Sequence, residues 1–460
     1  MLHFMPDTPL SLVILIICSV LVCVFEFVNG FHDTANAVAT VIYTRSLKPV
    51  QAVVLSGVMN FAGVLAGGLS VAYALVELLP PDVLTPPNGA PAVPMLFSLF
   101  GAALSWNLLT WRAGIPNSSS HCIIGSIIGV AVGDALVHGR HYREGIDWPQ
   151  VLKVLEALAV SPILGLVGAG LFYCVLKMFV KDKALFEPPQ GHQPPRGWVR
   201  WLLIGSCTGV SFSHGSNDGQ KSIGLIMLTV AGLWPALYAL NPQHQHTLPV
   251  TVSEAHEIRS VLDMYDHDVL RSDAMIAAQH LQTENSLLDK PILNGPLPPL
   301  VTVRSDVFQI VAALKKISLD KAVPSQVRHQ AAHLRMKLRP VVEFAPWWVR
   351  LLSALCLSLG TMVGYKRIVS TLGEKIGRTH LTPAQGASSE LVGAGLILTA
   401  GYTGLPVSTT HIVTAGIAGS MLGAGSGLQW GTMRRIMLAW VATLPVTIVL
   451  SAGLFYLLSH

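Results

Sequence analysis

The 460-residue chain is 51% hydrophobic and only 12% Asp, Glu, Lys or Arg, with a formal net charge of +5 and a mean hydropathy of +0.54. An ordinary soluble domain carries roughly 25% charge. The composition therefore argues against a soluble enzyme or nucleic-acid binder and for a polytopic membrane protein, whose Lys and Arg set topology and touch anionic lipid.

Taken in order, the first apolar run is SLVILIICSVLVCVFEFV. It lacks a basic n-region and a small-x-small cleavage site, so it reads as a retained helix rather than a signal peptide. Further apolar stretches fall near 50–79, 95–110, 121–137, 151–180, 198–212, 222–240, 347–365, 390–402, 411–424 and 433–458. A full span needs about 20 residues. The piece 31–44 after Gly30 is short, and several other stretches are short and rich in glycine. An all-α polytopic protein with roughly 10–12 membrane segments, some broken or re-entrant, is expected. Cys18, Cys23, Cys122, Cys174, Cys207 and Cys356 sit in or beside apolar runs without CxxC spacing, as packed thiols do.

Residues 241–346 break the apolar pattern with eleven acidic and eleven basic side chains. Segments such as LRSDAMIAAQHLQTENSLL and VFQIVAALKKI predict amphipathic helices in an extramembrane insert. Basic clusters at Arg45 and Lys48, Lys177 to Lys183, Arg196 and Arg200, Lys366 to Arg378, and Arg434 and Arg435 contrast with the loop 80–94, which has none. The positive-inside rule puts 80–94 outside and the basic loops inside.

Two motif pairs mark an internal repeat. GFHDTANA from Gly30 matches GSNDGQKS from Gly215, aligning Asp33 with Asp218, Asn36 with Lys221 and His32 with Asn217. GIPNSSSH (114–121) matches GLPVSTTH (404–411). The order is the same in both halves. The expected organisation is a first membrane repeat over 1–180, the start of a second over 181–240, the insert 241–346, and the rest of the second repeat over 347–460. Repeated halves with interrupted apolar segments point to a secondary-transporter site near the bilayer midplane.

The residue types fit an oxyanion and a cation. Hydroxyls and exposed N–H groups at helix starts suit a multivalent oxyanion. Ser118, Ser119 and Ser120, with Ser408, Thr409 and Thr410, therefore predict two donor-rich half-helix starts around one tetrahedral anion. Carboxylates would repel a bare anion. Asp33 and Asp218, with neighbouring Asn217, predict instead a site for a coupling cation, a proton or a metal travelling with the anion. Asn36 lies one turn from Asp33. Lys221, at the matching position of the second repeat, both neutralises Asp218 and attracts an anion. A fixed ammonium opposes a sodium ion beside it, which favours proton coupling over a two-sodium site. Plainer readings remain: Ser/Thr runs also serve packing and back-bonding, and His32, His121, His214 and His411 also serve as buried hydrogen-bonding groups. Glu26, Asp134, Glu156 and Glu390 are further acidic residues in or beside apolar runs.

GFHDTANAVAT, SHGSNDGQKSIG, GIPNSSSH and GLPVSTTH resemble the inorganic phosphate transporter (PiT) family, and most of all its bacterial low-affinity members. The resemblance covers both membrane halves. It implies a multi-pass protein of the bacterial inner membrane that binds phosphate and coupling cations at Asp33, Asn36, Asp218, Ser118, Ser119, Ser408 and Thr409. Sodium-coupled members carry Asn where Lys221 stands, whereas the bacterial subgroup is taken to move metal–phosphate complexes with protons. The expectation is a low-affinity phosphate symporter, proton-coupled and accepting a divalent metal–phosphate complex, with arsenate as an analogue. It needs no resident cofactor; a proton, sodium or a divalent metal would be co-transported. Membrane lipids are its surroundings, nucleic acid is not a partner, and a homodimer is compatible. A sodium-coupled symporter, a carrier of another oxyanion and a phosphate-binding receptor stay open. With no HExxH, GxSxG or nucleotide loop, an enzyme is not expected.

Overall fold

The computed structural model describes residues 9–76, 78, 93–139, 148–188, 193–195, 197–233, 241, 255–263, 275–276, 278 and 300–459. They form α1 (Pro9–Tyr43), α2 (Pro49–Ala66), α3 (Ser70–Val76), α4 (Val93–Arg112), α5 (Ser119–Val137), α6 (Trp148–Phe179), α7 (Lys183–Phe186), α8 (Gly197–Leu233), α9 (Ala255–Asp263), α10 (Leu300–Leu319), α11 (Ser325–Val342), α12 (Trp347–Thr361), α13 (Lys366–Glu374), α14 (Pro383–Thr403), α15 (Thr409–Ala424) and α16 (Trp430–Leu458). The chain divides into two compact units, one of 1–83, 92–229 and 346–460, the other of 84–91 and 230–345.

Six described helices, α1, α2, α4, α5, α6 and α16, are long and apolar enough to cross a membrane. α8, α12, α14 and α15 belong to the same all-α bundle but are shorter or carry its buried polar residues. The interruptions fall at the GxPxSxxH motifs. α4 stops at Arg112 and α5 starts at Ser119; α14 stops at Thr403 and α15 starts at Thr409. Gly114 and Gly404 stand at positive φ in these breaks (66° and 72°), a conformation only glycine adopts freely. The result is two helical hairpins with matching tips.

The Asp motifs behave differently from the expected short pieces. α1 runs unbroken through Asn29 and Gly30 to Asp33, so 10–29 and 31–44 are one helix, and α8 runs unbroken through Gly215 to Lys221. The glycines serve close approach instead. A Cβ at Gly30 would stand 2.6 Å from the backbone of Leu357, Gly360 and Thr361, and one at Gly215 would stand 2.2 Å from Asn60 O. Reciprocally, a Cβ at Gly360 would meet Phe27 O and one at Gly63 would meet Phe212 O. The α1–α12 crossing therefore repeats as the α8–α2 crossing, with the backbones in contact. A second repeated pair joins α5 to α16 and α15 to α6. A side chain at Gly129 would strike Ile448 O, and one at Gly419 would strike Leu166 O. Small residues at such crossings are how membrane helices gain packing where lipid removes the hydrophobic drive.

The basic loops converge. Arg200 Nε donates to Ser46 O (2.9 Å), Arg367 to Arg112 O (3.0 Å) and Arg378 Nε to Leu428 O (3.3 Å). Tyr43 at the end of α1 donates to Glu374 of α13. These residues gather at one end of the membrane unit.

In the other unit, α10 and α9 pack on α11. Val307, Ile310 and Leu314 bury against Leu334 and Leu338, with Ile258 and Val261 completing the cluster. The segment VFQIVAALKKI forms part of α10; most of LRSDAMIAAQHLQTENSLL lies outside the described residues.

Candidate functional site

The hairpin tips and the two Asp motifs meet inside the membrane unit. Ser118 and Ser408 are the N-caps of α5 and α15, and their hydroxyls accept from His121 N and His411 N at 3.2 Å in both halves. Capping satisfies one orphan N–H of each helix start. The backbone N–H groups of Ser119, Ser120, Thr409 and Thr410 lie in these first turns, the part of a helix where donors are left over for an anion. Between the tips the rings of His121 and His411 lie 4.5 Å apart, and His411 stacks on Trp440 at 4.0 Å. Trp440 Nε1 donates to Pro116 O (3.1 Å), tying a tip to α16.

Asp33 is buried and dense with donors. Its Oδ1 accepts from Thr409 (3.1 Å), Thr410 and Asn36 Nδ2 (3.1 Å). Ser119 Oγ reaches its Oδ2 at 3.5 Å. Thus the first half's carboxylate is bonded to the second half's tip. The second repeat answers in kind: Lys221 Nζ donates to Asp218 Oδ1 (2.6 Å), Ser120 Oγ (2.6 Å) and Val407 O (2.9 Å). An ammonium has three hydrogens, so all three are used, on oxygens from both halves.

His214 bridges the carboxylates. Its Nε2 stands 3.2 Å from Asp33 Oδ2 and 3.5 Å from Asp218 Oδ2. Its other ring nitrogen is fixed by a buried chain. Asn60 Nδ2 donates to Thr361 Oγ1 (3.1 Å), which turns Asn60 Oδ1 toward His214 Nδ1 at 2.7 Å. Nδ1 therefore carries a hydrogen. A bare Nε2 lone pair would face two carboxylate oxygens, an arrangement that requires a cation between them. A proton on Nε2 meets the requirement. So does a metal ion, since Asp33, His214 and Asp218 each present a ligand atom within 4.8 Å of the others. One imidazole and two carboxylates suit several divalent ions.

The remaining sequence-predicted residues fall as follows. Asn36 joins Asp33 and Thr410 (3.1 Å each). Asn217 is fully buried, yet neither of its amide atoms has a hydrogen-bond partner, and no hydrogen bond brings it into the cluster. His32 turns away to Asn107 O (2.8 Å). Asn60, Thr361 and the carbonyl of Val407 went unread in the sequence. A lone Asn in the apolar run VLSGVMNFAGVLAGG was the available signal for the first; backbone carbonyls leave none.

A family described as "Phosphate transporter family" matches residues 29–451. The low-affinity inorganic phosphate transporters PitA and PitB of Escherichia coli K12 are 37% and 38% identical to the chain; the alignments cover 99% and 96% of both partners. A probable low-affinity inorganic phosphate transporter of Bacillus subtilis is 29% identical over 98% of this chain and 99% of its own. Among solved structures, "The sodium-dependent phosphate transporter" superposes with a TM-score of 0.54 at 20% identity, covering 97% of this chain and 99% of that one, a likeness of fold. This is a family of transporters, not of enzymes. With near-complete coverage at both ends, and with duplicated motifs that the fold brings to one buried site, the chain belongs to the phosphate transporter family.

Proposed function

We propose that the chain is a low-affinity inorganic phosphate symporter of the bacterial inner membrane that couples uptake to protons and accepts phosphate as a divalent metal complex. The observation that carries this reading is the place of Lys221. Its ammonium sits among a carboxylate, a hydroxyl and a carbonyl oxygen. Hard oxygens of this kind are what a small cation is bound by. Lys221 is thus a built-in cation where a mobile one would bind.

The cycle follows from charge. Phosphate oxygens are held by the N–H groups of Ser119, Ser120, Thr409 and Thr410 and by the helix dipoles of α5 and α15. The accompanying metal would be held by Asp33, His214 and Asp218, whose ligand atoms lie within 4.8 Å of one another. A metal–hydrogenphosphate complex is neutral. It avoids the cost of about 2.3 kcal/mol per elementary charge per 100 mV of membrane potential. Arsenate, with the same shape and charge, fits the same donors.

A sodium-coupled reading draws on Asp33, Thr409 and Thr410, whose oxygens cluster without a lysine in that half. Uptake of phosphate into proteoliposomes, with proton and sodium gradients imposed separately, decides. Accumulation on the proton gradient alone supports the proposal. Accumulation on sodium alone, lost when sodium is withdrawn, replaces it with the sodium symporter. Binding without accumulation under either gradient would make the protein a receptor.

A further inference from the structure

Two buried glutamates outside this site share one unusual arrangement. Glu26 of α1 and Glu390 of α14 are both 0% exposed. Each meets a serine of α8 through Oε2: Glu26 meets Ser222, and Glu390 meets Ser206 at 2.5 Å. In each case Oε1 is buried with no hydrogen-bond partner. Among the described residues, neither glutamate forms an ion pair with a Lys, Arg or His nitrogen. The charged or titratable groups facing Glu26 are Asp218 of α8, Cys23 of its own helix and Cys356 of α12; Cys207 of α8 faces Glu390. None of them supplies a positive charge.

In each pair the single serine hydrogen is contested between the glutamate and the carbonyl of the preceding turn. A serine hydroxyl has one hydrogen. Ser222 Oγ lies 3.1 Å from Asp218 O, and Ser206 Oγ lies 3.0 Å from Leu203 O. Back-bonding to the preceding turn is the ordinary use of serine in a membrane helix. A serine that back-bonds has no hydrogen left for the glutamate, so both contacts are satisfied together only when the carboxyl brings its own. Asn29 beside Glu26 and Thr40 beside Glu390 add only neutral hydrogen-bonding groups, and ionised carboxylates without a cation are costly to bury in a membrane.

We propose that Glu26 and Glu390 are proton-binding sites, each holding one proton on Oε2 that it donates to Ser222 or Ser206, and that they exchange this proton during transport. On release, the O–H bond breaks, the electron pair stays on the carboxylate and the serine hydrogen swings to it; rebinding reverses both changes. The sites lie along α8 on either side of His214 and Asp218 in sequence, at Ser206 and Ser222. Their use in coupling rests on the proton-coupled reading above.

The test uses the full chain in liposomes. Infrared spectra of wild type, Glu26→Gln and Glu390→Gln are recorded at neutral pH in H2O and D2O. The expected result is a carboxylic-acid carbonyl absorbance that shifts in D2O and loses one component in each variant. Carbonyl absorbance identical in all three proteins overturns the proposal. Glutamine keeps the shape of the neutral acid, and the wild-type spectrum alone reports whether such carbonyls exist. In parallel, phosphate with Mg2+ is offered under a gradient of about one pH unit, which supports about tenfold accumulation for each coupled proton. Each variant is expected to lose that tenfold factor; variants accumulating like wild type overturn the exchange. A wild type that ignores the gradient while keeping the infrared band defeats the proton-coupled reading and the exchange role, but leaves the two neutral acids in place.

Discussion

Replacing Lys221 with Asn restores the symmetry of the repeat and removes a buried ammonium that is 2% exposed. Asp218 then loses its nearer partner and keeps only His214, at 3.5 Å. Breaking a buried ion pair by deleting one member costs about 3–5 kcal/mol. That is a large part of the roughly 5–15 kcal/mol that keeps a folded domain together. The vacated oxygens of Asp218, Ser120 and Val407 form a cation site, so sodium should return part of the loss. Saturating sodium at about 100 times its dissociation constant returns about 2.7 kcal/mol. The assay is thermal unfolding of purified Lys221→Asn in sodium against choline, paired with uptake in proteoliposomes. We expect a lowered midpoint that rises with sodium, a sodium-insensitive midpoint in wild type, and loss of proton-driven uptake. A variant with wild-type stability, no sodium response and intact proton-driven uptake would refute the view of Lys221 as a resident cation.

Five other substitutions probe the same architecture. Asp33→Asn and Asp218→Asn keep size but remove charge, and each should abolish concentrative phosphate uptake; normal accumulation in both would make the carboxylates structural. Ser118→Ala and Ser408→Ala each remove an N-cap, at a cost of about 1 kcal/mol, and should raise the KM for phosphate as the tip loosens; unchanged kinetics in both would separate the tips from the anion. Gly30→Ala forces a methyl to within 2.6 Å of three backbone atoms of α12, and overpacking of this kind costs about 1–3 kcal/mol or more. Its thermal midpoint should fall well below that of a control such as Gly453→Ala, where nothing lies within 4 Å of the added Cβ.

Much of this was legible because duplication writes the same chemistry twice. Ser118 and Ser408 cap their helices in the same geometry, as the paired GxPxSxxH motifs implied. The polytopic all-α class followed from apolar runs alone. The sequence misled where glycine was read as a break. In α1 and α8 the glycines of the Asp motifs let two backbones touch, and local propensity cannot distinguish a kink from a contact made by a segment hundreds of residues away. Asn60 and Thr361 escaped for the same reason: they matter only because the α8–α2 and α1–α12 crossings place them in line behind His214. Val407 acts through its carbonyl, which no side-chain pattern encodes.

The glycine crossings carry a consequence for how the protein can be divided. α5, from the first half, seats its backbone against α16 of the second, and α15 seats against α6 of the first. Each hairpin tip is therefore shouldered by a beam made from the other half of the polypeptide. Cutting the chain within residues 241–346 would separate both tips from their beams at once. Neither fragment would retain a supported half-site, and co-expressed fragments would regain transport only by interlocking, not by acting as two independent modules.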